Sequence, residues 1–168
     1  MSHRDHPGVI APPPLICLGF LLVGWGLTAL GARPEIVAAG FGWLAAGFDL
    51  EIATRRGAAL TLIVGGLVLD GMAAGLFRRR GTAVEPWKPS TALIIEGPYR
   101  FSRNPIYVGF AVTYLGLAIA MNSWIALILL VPCLLVVDRF VIQREERYLS
   151  VKFGAAYDAY RQTVRRWL

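Results

Sequence analysis

Charge is scarce in this chain, cysteine and histidine are scarcer, and none of the three is arranged as a metal site. Charged residues make up 17% of the 168 positions, with two cysteines and two histidines among them all. His3 and His6 sit in a polar leading segment. Cys17 and Cys133 lie far apart in the chain, each inside an apolar block, so no ligand spacing of a zinc or iron site is present. The cysteines read as small apolar packing residues. No internal repeat, low-complexity tract or flexible linker divides the chain, which leaves one domain. No glycine fingerprint follows a strand-like segment, which argues against a dinucleotide fold.

Long apolar runs are what the chain does have. Hydrophobic residues make up 56% of it. Eighteen residues from Leu15 to Ala32 carry no charge, twenty from Ala58 to Phe77 are broken only by Asp70, and thirty-two from Ile106 to Val137 carry none. A bilayer core about 30 Å thick needs roughly 20 apolar helical residues. The last run is long enough for two spans, with Asn122-Ser123 as a tight turn between them. A soluble chain of this size could not bury so much apolar surface in one core. The expected fold is therefore an all-α polytopic membrane bundle with spans at about 14–32, 58–77, 106–121 and 123–140. The shorter apolar block at 36–48 reads as an interfacial or re-entrant helix, and the residues after 140 as helices outside the membrane.

The net charge of +6 is a topology signal. Arg78, Arg79, Arg80, Lys88, Arg100 and Arg103 precede the third span, and Arg139, Arg144, Arg147, Lys152, Arg161, Arg165 and Arg166 flank or follow the fourth. The connection between the first two spans balances Arg33, Arg55 and Arg56 against Glu35, Asp49 and Glu51. The positive-inside rule puts both basic segments in the cytoplasm, as a hairpin of the third and fourth spans requires. With its positive charge used this way, the chain is not read as a nucleic-acid binder.

Chemistry concentrates in two clusters. The segment 81–105 contains Pro86, Pro89, Pro98 and Pro105 and cannot be one helix; it is longer than an ordinary connection. It ends in Glu96-Gly97-Pro98-Tyr99-Arg100-Phe101-Ser102-Arg103-Asn104-Pro105-Ile106-Tyr107-Val108-Gly109. Arg100 and Arg103 offer forked donors to an anion. Tyr99 and Tyr107 offer ring faces to a cation or purine, and Gly97 and Gly109 permit close backbone approach. The second cluster is Arg144-Glu145-Glu146-Arg147-Tyr148-Leu149, followed by Phe153-Gly154, Tyr157, Tyr160 and Arg161. One of its two adjacent carboxylates, about 100° apart on a helix, is expected to face inward, where it could hold an ammonium or sulfonium. Taken singly, each cluster has a plain alternative: interfacial anchoring by Arg and Tyr, or surface ion pairs worth a few tenths of a kcal/mol. Asp70 within the second span reads as helix-packing polarity first and a site residue second. Asp138 reads as the partner of a neighbouring arginine.

The order of the pieces is more specific than any one of them. Gly-Pro-Tyr-Arg, then Arg-Asn-Pro-Ile-Tyr-Val-Gly, a helical hairpin, Glu-Glu, Phe-Gly and Tyr-x-x-Tyr resemble the isoprenylcysteine carboxyl methyltransferase and phospholipid methyltransferase superfamily of membrane enzymes over about 82–168. The resemblance implies an S-adenosyl-L-methionine site drawing on Tyr99, Arg103, Asn104, Pro105, Tyr107, Gly109, Glu145 and Glu146. It further implies a lid-like element bearing Tyr157, Tyr160 and Arg161, and a lipophilic or small membrane-accessible methyl acceptor. Arg144, Arg161 or Arg165 would then meet an anionic acceptor. Asn104 stands where the family usually has histidine, as expected of some bacterial-type members, and an amide cannot shuttle protons near neutral pH. These features imply a multi-pass protein of a bacterial inner membrane, in contact with membrane lipids, its cofactor site facing the cytoplasm. A nicotinamide-dependent membrane reductase of sterol-reductase-like arrangement and a non-catalytic scaffold are the competing expectations.

Overall fold

A computed structural model describes residues 8, 11–29, 51–85 and 87–168. The expected helix at 36–48 lies outside the described residues. Among the described residues every regular element is a helix, with no strand. Helix α1 spans Pro13–Ala29 and α2 Ile52–Arg79. A 3-10 turn at Gly97–Arg100 precedes α3, Pro105–Ala120, and α4 covers Trp124–Val137. A π-turn at Asp138–Ile142 leads without interruption into α5, Gln143–Phe153, and α6 covers Ala155–Thr163.

The helix ends are written locally. Prolines open α1 and α3, where the missing amide proton costs nothing. Helix α2 closes with Arg78 and Arg79 over its negative pole and with Gly81 at φ 63°. Thr82 N–H donates to the Phe77 carbonyl (3.0 Å) and Gly81 N–H to that of Arg78 (3.2 Å), the paired bonds of a Schellman stop. Asn122, at φ 52°, turns the chain between α3 and α4, and Ser123 caps α4 by accepting from Ala126 N–H (3.1 Å). Gly154, also at φ 52°, makes the break between α5 and α6 expected there. Helix α2 starts six residues before the apolar run at 58, because its hydrogen-bond ladder continues through Arg55 and Arg56 into the polar margin.

Helices α2 and α3 meet through small residues. Ala59, Gly66 and Ala73, each one heptad apart, are buried on α2 and oppose Gly109 and Gly116 on α3. A methyl at Gly116 would lie 2.9 Å from the Ala59 carbonyl oxygen, and one at Gly66 would lie 2.7 Å from that of Gly109. Asp70 sits in this contact beside Gly109; its Oδ1 and the Thr113 hydroxyl are buried without a conventional hydrogen-bond partner among the described residues. Both lie against glycines of the facing helix. Helix α1 packs on α4 with Gly24 against Ala126, and Ser123 Oγ–H donates to the Gly24 carbonyl (3.1 Å).

The faces turned outward are apolar. Leu15, Leu22 and Trp25 on α1, Leu60, Leu67 and Met72 on α2, and Val131 and Leu135 on α4 are all exposed. Such a belt has no place in water and fits lipid. Two helices, Ile52–Arg79 and Trp124–Phe153, are long and apolar enough to cross a membrane, while α1 and α3 are shorter apolar helices.

Candidate functional site

The segment 82–104, the start of α3, and helices α5 and α6 close around a cavity of about 240 Å³. Tyr99, Arg103, Asn104, Tyr107, Glu145, Glu146, Tyr157 and Tyr160 line it, so both sequence clusters converge on one place. Further walls come from Phe77, Trp87, Ile94 and Tyr148, and from Pro13 and Pro14 at the head of α1.

Both carboxylates face inward, where one was expected. Each grips a different residue of the α3 approach, one helical turn apart, so the 100° between them is accommodated. Tyr107 Oη–H donates to Glu145 Oε1 (2.8 Å), and Glu145 Oε2 has no hydrogen-bond partner among the described residues. Burial pushes the Glu145 carboxyl up to about 7; the adjacent Glu146 charge adds to the rise and the Tyr107 bond opposes it. Glu146 is buried and doubly paired. Arg103 Nε and Nη2 donate to its Oε1 (3.0 and 2.8 Å), and Arg166 Nη2 donates to its Oε2 (2.7 Å). Arg166 also reaches Asp138 (3.3 Å), so the partner of Asp138 is this distant arginine rather than the adjacent Arg139.

Arg103 was expected to offer its fork to a cofactor carboxylate. The structure gives it a protein carboxylate instead, together with the ends of the chain: Nη1 donates to the carbonyls of Arg161 (3.0 Å) and Val164 (2.8 Å). The Arg103 amide donates to the Arg165 carbonyl (2.9 Å), and Asn104 Nδ2 donates to that of Arg166 (3.0 Å). Tyr160 Oη–H donates to the Tyr99 carbonyl (2.7 Å). Arg103 and Asn104 thus tie the C-terminal segment to the approach of α3, and Tyr160 ties α6, a wall of the cavity, to the turn at Tyr99. Burial holds the phenols of Tyr99 and Tyr157 well above the usual tyrosine range and pushes Tyr160 up to about 12, so all three remain neutral donors near neutral pH.

Other expectations are redistributed. Gly109 does permit a close backbone approach, but to Gly66 and Asp70 of α2 and away from the cavity wall. Pro105 is fully buried as the first residue of α3 and sets its direction. Arg144 donates to the Gly8 carbonyl (2.8 Å), and the exposed Arg161 lends its carbonyl to Arg103; neither side chain lines the cavity. Arg166 and Trp87 carry no site expectation, and Tyr148 belongs to the second cluster without a role of its own there. Tyr148 lies three residues after Glu145, on the same helix face, which was a readable signal; the pairing of Arg166 with Glu146 was not. Cys17 and Cys133, remote in sequence, have Sγ atoms 3.7 Å apart.

Comparison with known proteins places the chain in a family. Residues 54–156 match the family model described as phospholipid methyltransferase. The chain belongs to the phospholipid methyltransferase family. Over 46 residues it is 48% identical to an uncharacterized protein of Haemophilus influenzae, a stretch covering 27% of this chain and 68% of that one. Over 75 residues it is 36% identical to the protein-S-isoprenylcysteine O-methyltransferase of Schizosaccharomyces pombe, covering 43% of this chain but only 30% of that enzyme. No solved structure matches. As a member of this family with two membrane-length apolar helices, the chain is a membrane protein.

The Arg103 cluster makes a direct prediction. In Arg103→Lys a single ammonium must replace a fork that serves Glu146, Arg161 and Val164. Losing about 2 kcal/mol of charged hydrogen bonding should raise the opening of the C-terminal segment roughly 30-fold. Trypsin should then cut after Arg161, Arg165 or Arg166 correspondingly faster, since cleavage follows the open population. A Lys variant as resistant as the parent would show that Arg103 does not hold this segment.

Proposed function

We propose that this protein is a four-span membrane methyltransferase that takes its methyl group from S-adenosyl-L-methionine at this cavity. The observation that carries the reading is Glu145: a carboxylate oriented by Tyr107, its second oxygen unpartnered among the described residues, in an aromatic-walled pocket. The residues present fit the cofactor. Glu145 would face its cationic groups, and Tyr99, Tyr148 and Tyr157 would offer ring faces to the purine. When bound, S-adenosylmethionine supplies a methyl already activated on a sulfonium.

The chain's own work is then alignment. Tyr107 fixes the Glu145 carboxylate so that charge is met without reorganisation. The Arg103–Glu146–Arg166 cluster holds α5 and the C-terminal segment against the approach of α3, which keeps the pocket walls in place. Asn104 donates one amide proton to the Arg166 carbonyl, which favours a positioning role over proton transfer. The acceptor is a lipophilic or small membrane-accessible carboxylate, amine or thiol. Reaching the pocket between lipid-facing helices would align it for in-line attack. Incubating the purified protein with methyl-tritiated S-adenosylmethionine and a total lipid extract should transfer label to one lipid-soluble class. Absence of transfer to lipid and to small water-soluble acceptors alike would refute the activity.

The four-span arrangement, with the cavity on the cytoplasmic side of an inner membrane, makes its own prediction. Single cysteines at Ser90 and Gln162, in a chain lacking Cys17 and Cys133, should resist a membrane-impermeant maleimide in intact cells and react once the cells are opened. Labelling of both in intact cells would reverse the topology.

A further inference from the structure

Cys17 and Cys133 do more than fill space. Their Sγ atoms lie 3.7 Å apart across the α1–α4 contact. Cys133 is fully buried, and Cys17 keeps part of its surface. Three features give the pair a position of consequence. Cys17 stands one helical turn after Pro13 and Pro14, which wall the cavity. Cys133 stands five residues before the π-turn that leads to Glu145 and Glu146. The opposite end of α1 is already fastened, by Gly24 on Ala126 and by the Thr28 and Ser123 hydroxyls (2.8 Å). At the cavity end the weak thiol contact is joined by the Arg144 bond to the Gly8 carbonyl.

We propose that Cys17 and Cys133 form a dithiol modification site that a peroxide converts to a disulfide, clamping α1 to α4 beside the cavity. The partly exposed Cys17, as thiolate, attacks one peroxide oxygen; the O–O bond breaks and Cys17 becomes a sulfenic acid as the first water leaves. Cys133 sulfur then displaces the sulfenic hydroxyl, the S–S bond forms and the second water leaves. Two thiols and one hydrogen peroxide thus give one disulfide and two waters, with two electrons passing from sulfur to oxygen. An S–S bond of about 2.05 Å is shorter than the present separation, so oxidation draws the two helices together and stiffens the Pro13–Pro14 wall. That this slows ligand exchange rests on the reading of the cavity as an S-adenosylmethionine site.

The test uses the full-length chain in detergent. After hydrogen peroxide, alkylation under denaturing conditions and intact-mass measurement, the parent should be monomeric, about 2 Da lighter than the reduced protein, and free of alkyl label. Dithiothreitol should restore two labelled thiols. Cys17→Ser and Cys133→Ser should each fail to form the internal link. The linked parent should unfold at a higher temperature than the reduced one and release tritiated S-adenosylhomocysteine several-fold more slowly. Two alkylatable thiols after peroxide, or a linked protein with the unfolding midpoint and release rate of the reduced one, would overturn the proposal. Failure of the reduced parent to bind S-adenosylhomocysteine would instead overturn the cavity reading, leaving the clamp to stand or fall on the mass and the midpoint.

Discussion

Gly109→Ala is expected to destabilise the contact between α2 and α3. A Cβ at this position would run into the Asp70 carboxylate and lie 2.9 Å from the Gly66 carbonyl oxygen. One obstacle is a side chain that can swing away; the other is helical backbone that cannot. Overpacking of this kind costs about 1–3 kcal/mol, with rigid backbone contacts at the upper end. The contrast comes from Gly71 and Gly75 on the facing helix, where an added methyl meets open space. Alanine there should be neutral or stabilising by up to about 1 kcal/mol through helix propensity. Adding Asp70→Ala to Gly109→Ala should recover only part of the loss, because the Gly66 carbonyl stays in place. Unfolding midpoints in detergent measure all four variants. A Gly109→Ala protein as stable as the parent would mean that α2 and α3 do not meet through this contact.

Glu145→Gln should separate ligand binding from folding. The carboxyl's ordinary value is about 4.3, and burial raises it to about 7 in the folded protein. A group raised in this way contributes stability that is present below its ordinary value and lost as pH rises through about 7. A cationic ligand has the opposite preference, since it binds the ionised form. Affinity for S-adenosylmethionine should therefore climb between pH 6 and pH 8, by about ninefold as the ionised fraction goes from about one tenth to nine tenths. Gln keeps an acceptor for Tyr107, removes the charge and should flatten that climb. Its loss at pH 8 should be roughly 30- to 150-fold, as for one charged contact worth about 2–3 kcal/mol, while the fold becomes more stable at that pH because the buried charge is gone. Glu146→Gln provides the counterpart. It leaves Arg103 without its anion and Arg166 with Asp138 alone, so its damage should appear first in the C-terminal segment. Equal pH dependence in the parent and the Glu145→Gln protein would remove Glu145 from the ligand.

How much of this was legible depended on whether the signal was local. Lipid writes itself into a chain as uninterrupted apolar runs, so helices near 14–32, 58–77 and 106–140 could be read directly. Turn chemistry is local too, which is why Asn122-Ser123 and Gly154 were found. Residues that converge from distant segments were a different matter. Their gathering into one site followed from the order of the motifs, while the partner of each group did not. Arg103 looked like a ligand-facing fork because nothing local shows Glu146 waiting for it. Gly109 looked like a cofactor contact because its true neighbours, Gly66 and Asp70, are forty residues upstream. Cys17 and Cys133 looked unrelated for the same reason. Helix pairing decides each of these, and one sequence without its fold does not state which helices pair.

Calorimetric titration of the detergent-purified protein with S-adenosylhomocysteine, and separately with NADPH, shows whether the cavity walled by Tyr99, Tyr107, Glu145 and Tyr157 holds S-adenosylmethionine. Saturable one-to-one heat is expected with S-adenosylhomocysteine and none with NADPH. Binding of NADPH in its place would point to a reductase, and heat from neither ligand in a folded, monodisperse sample would rule out the proposed cofactor.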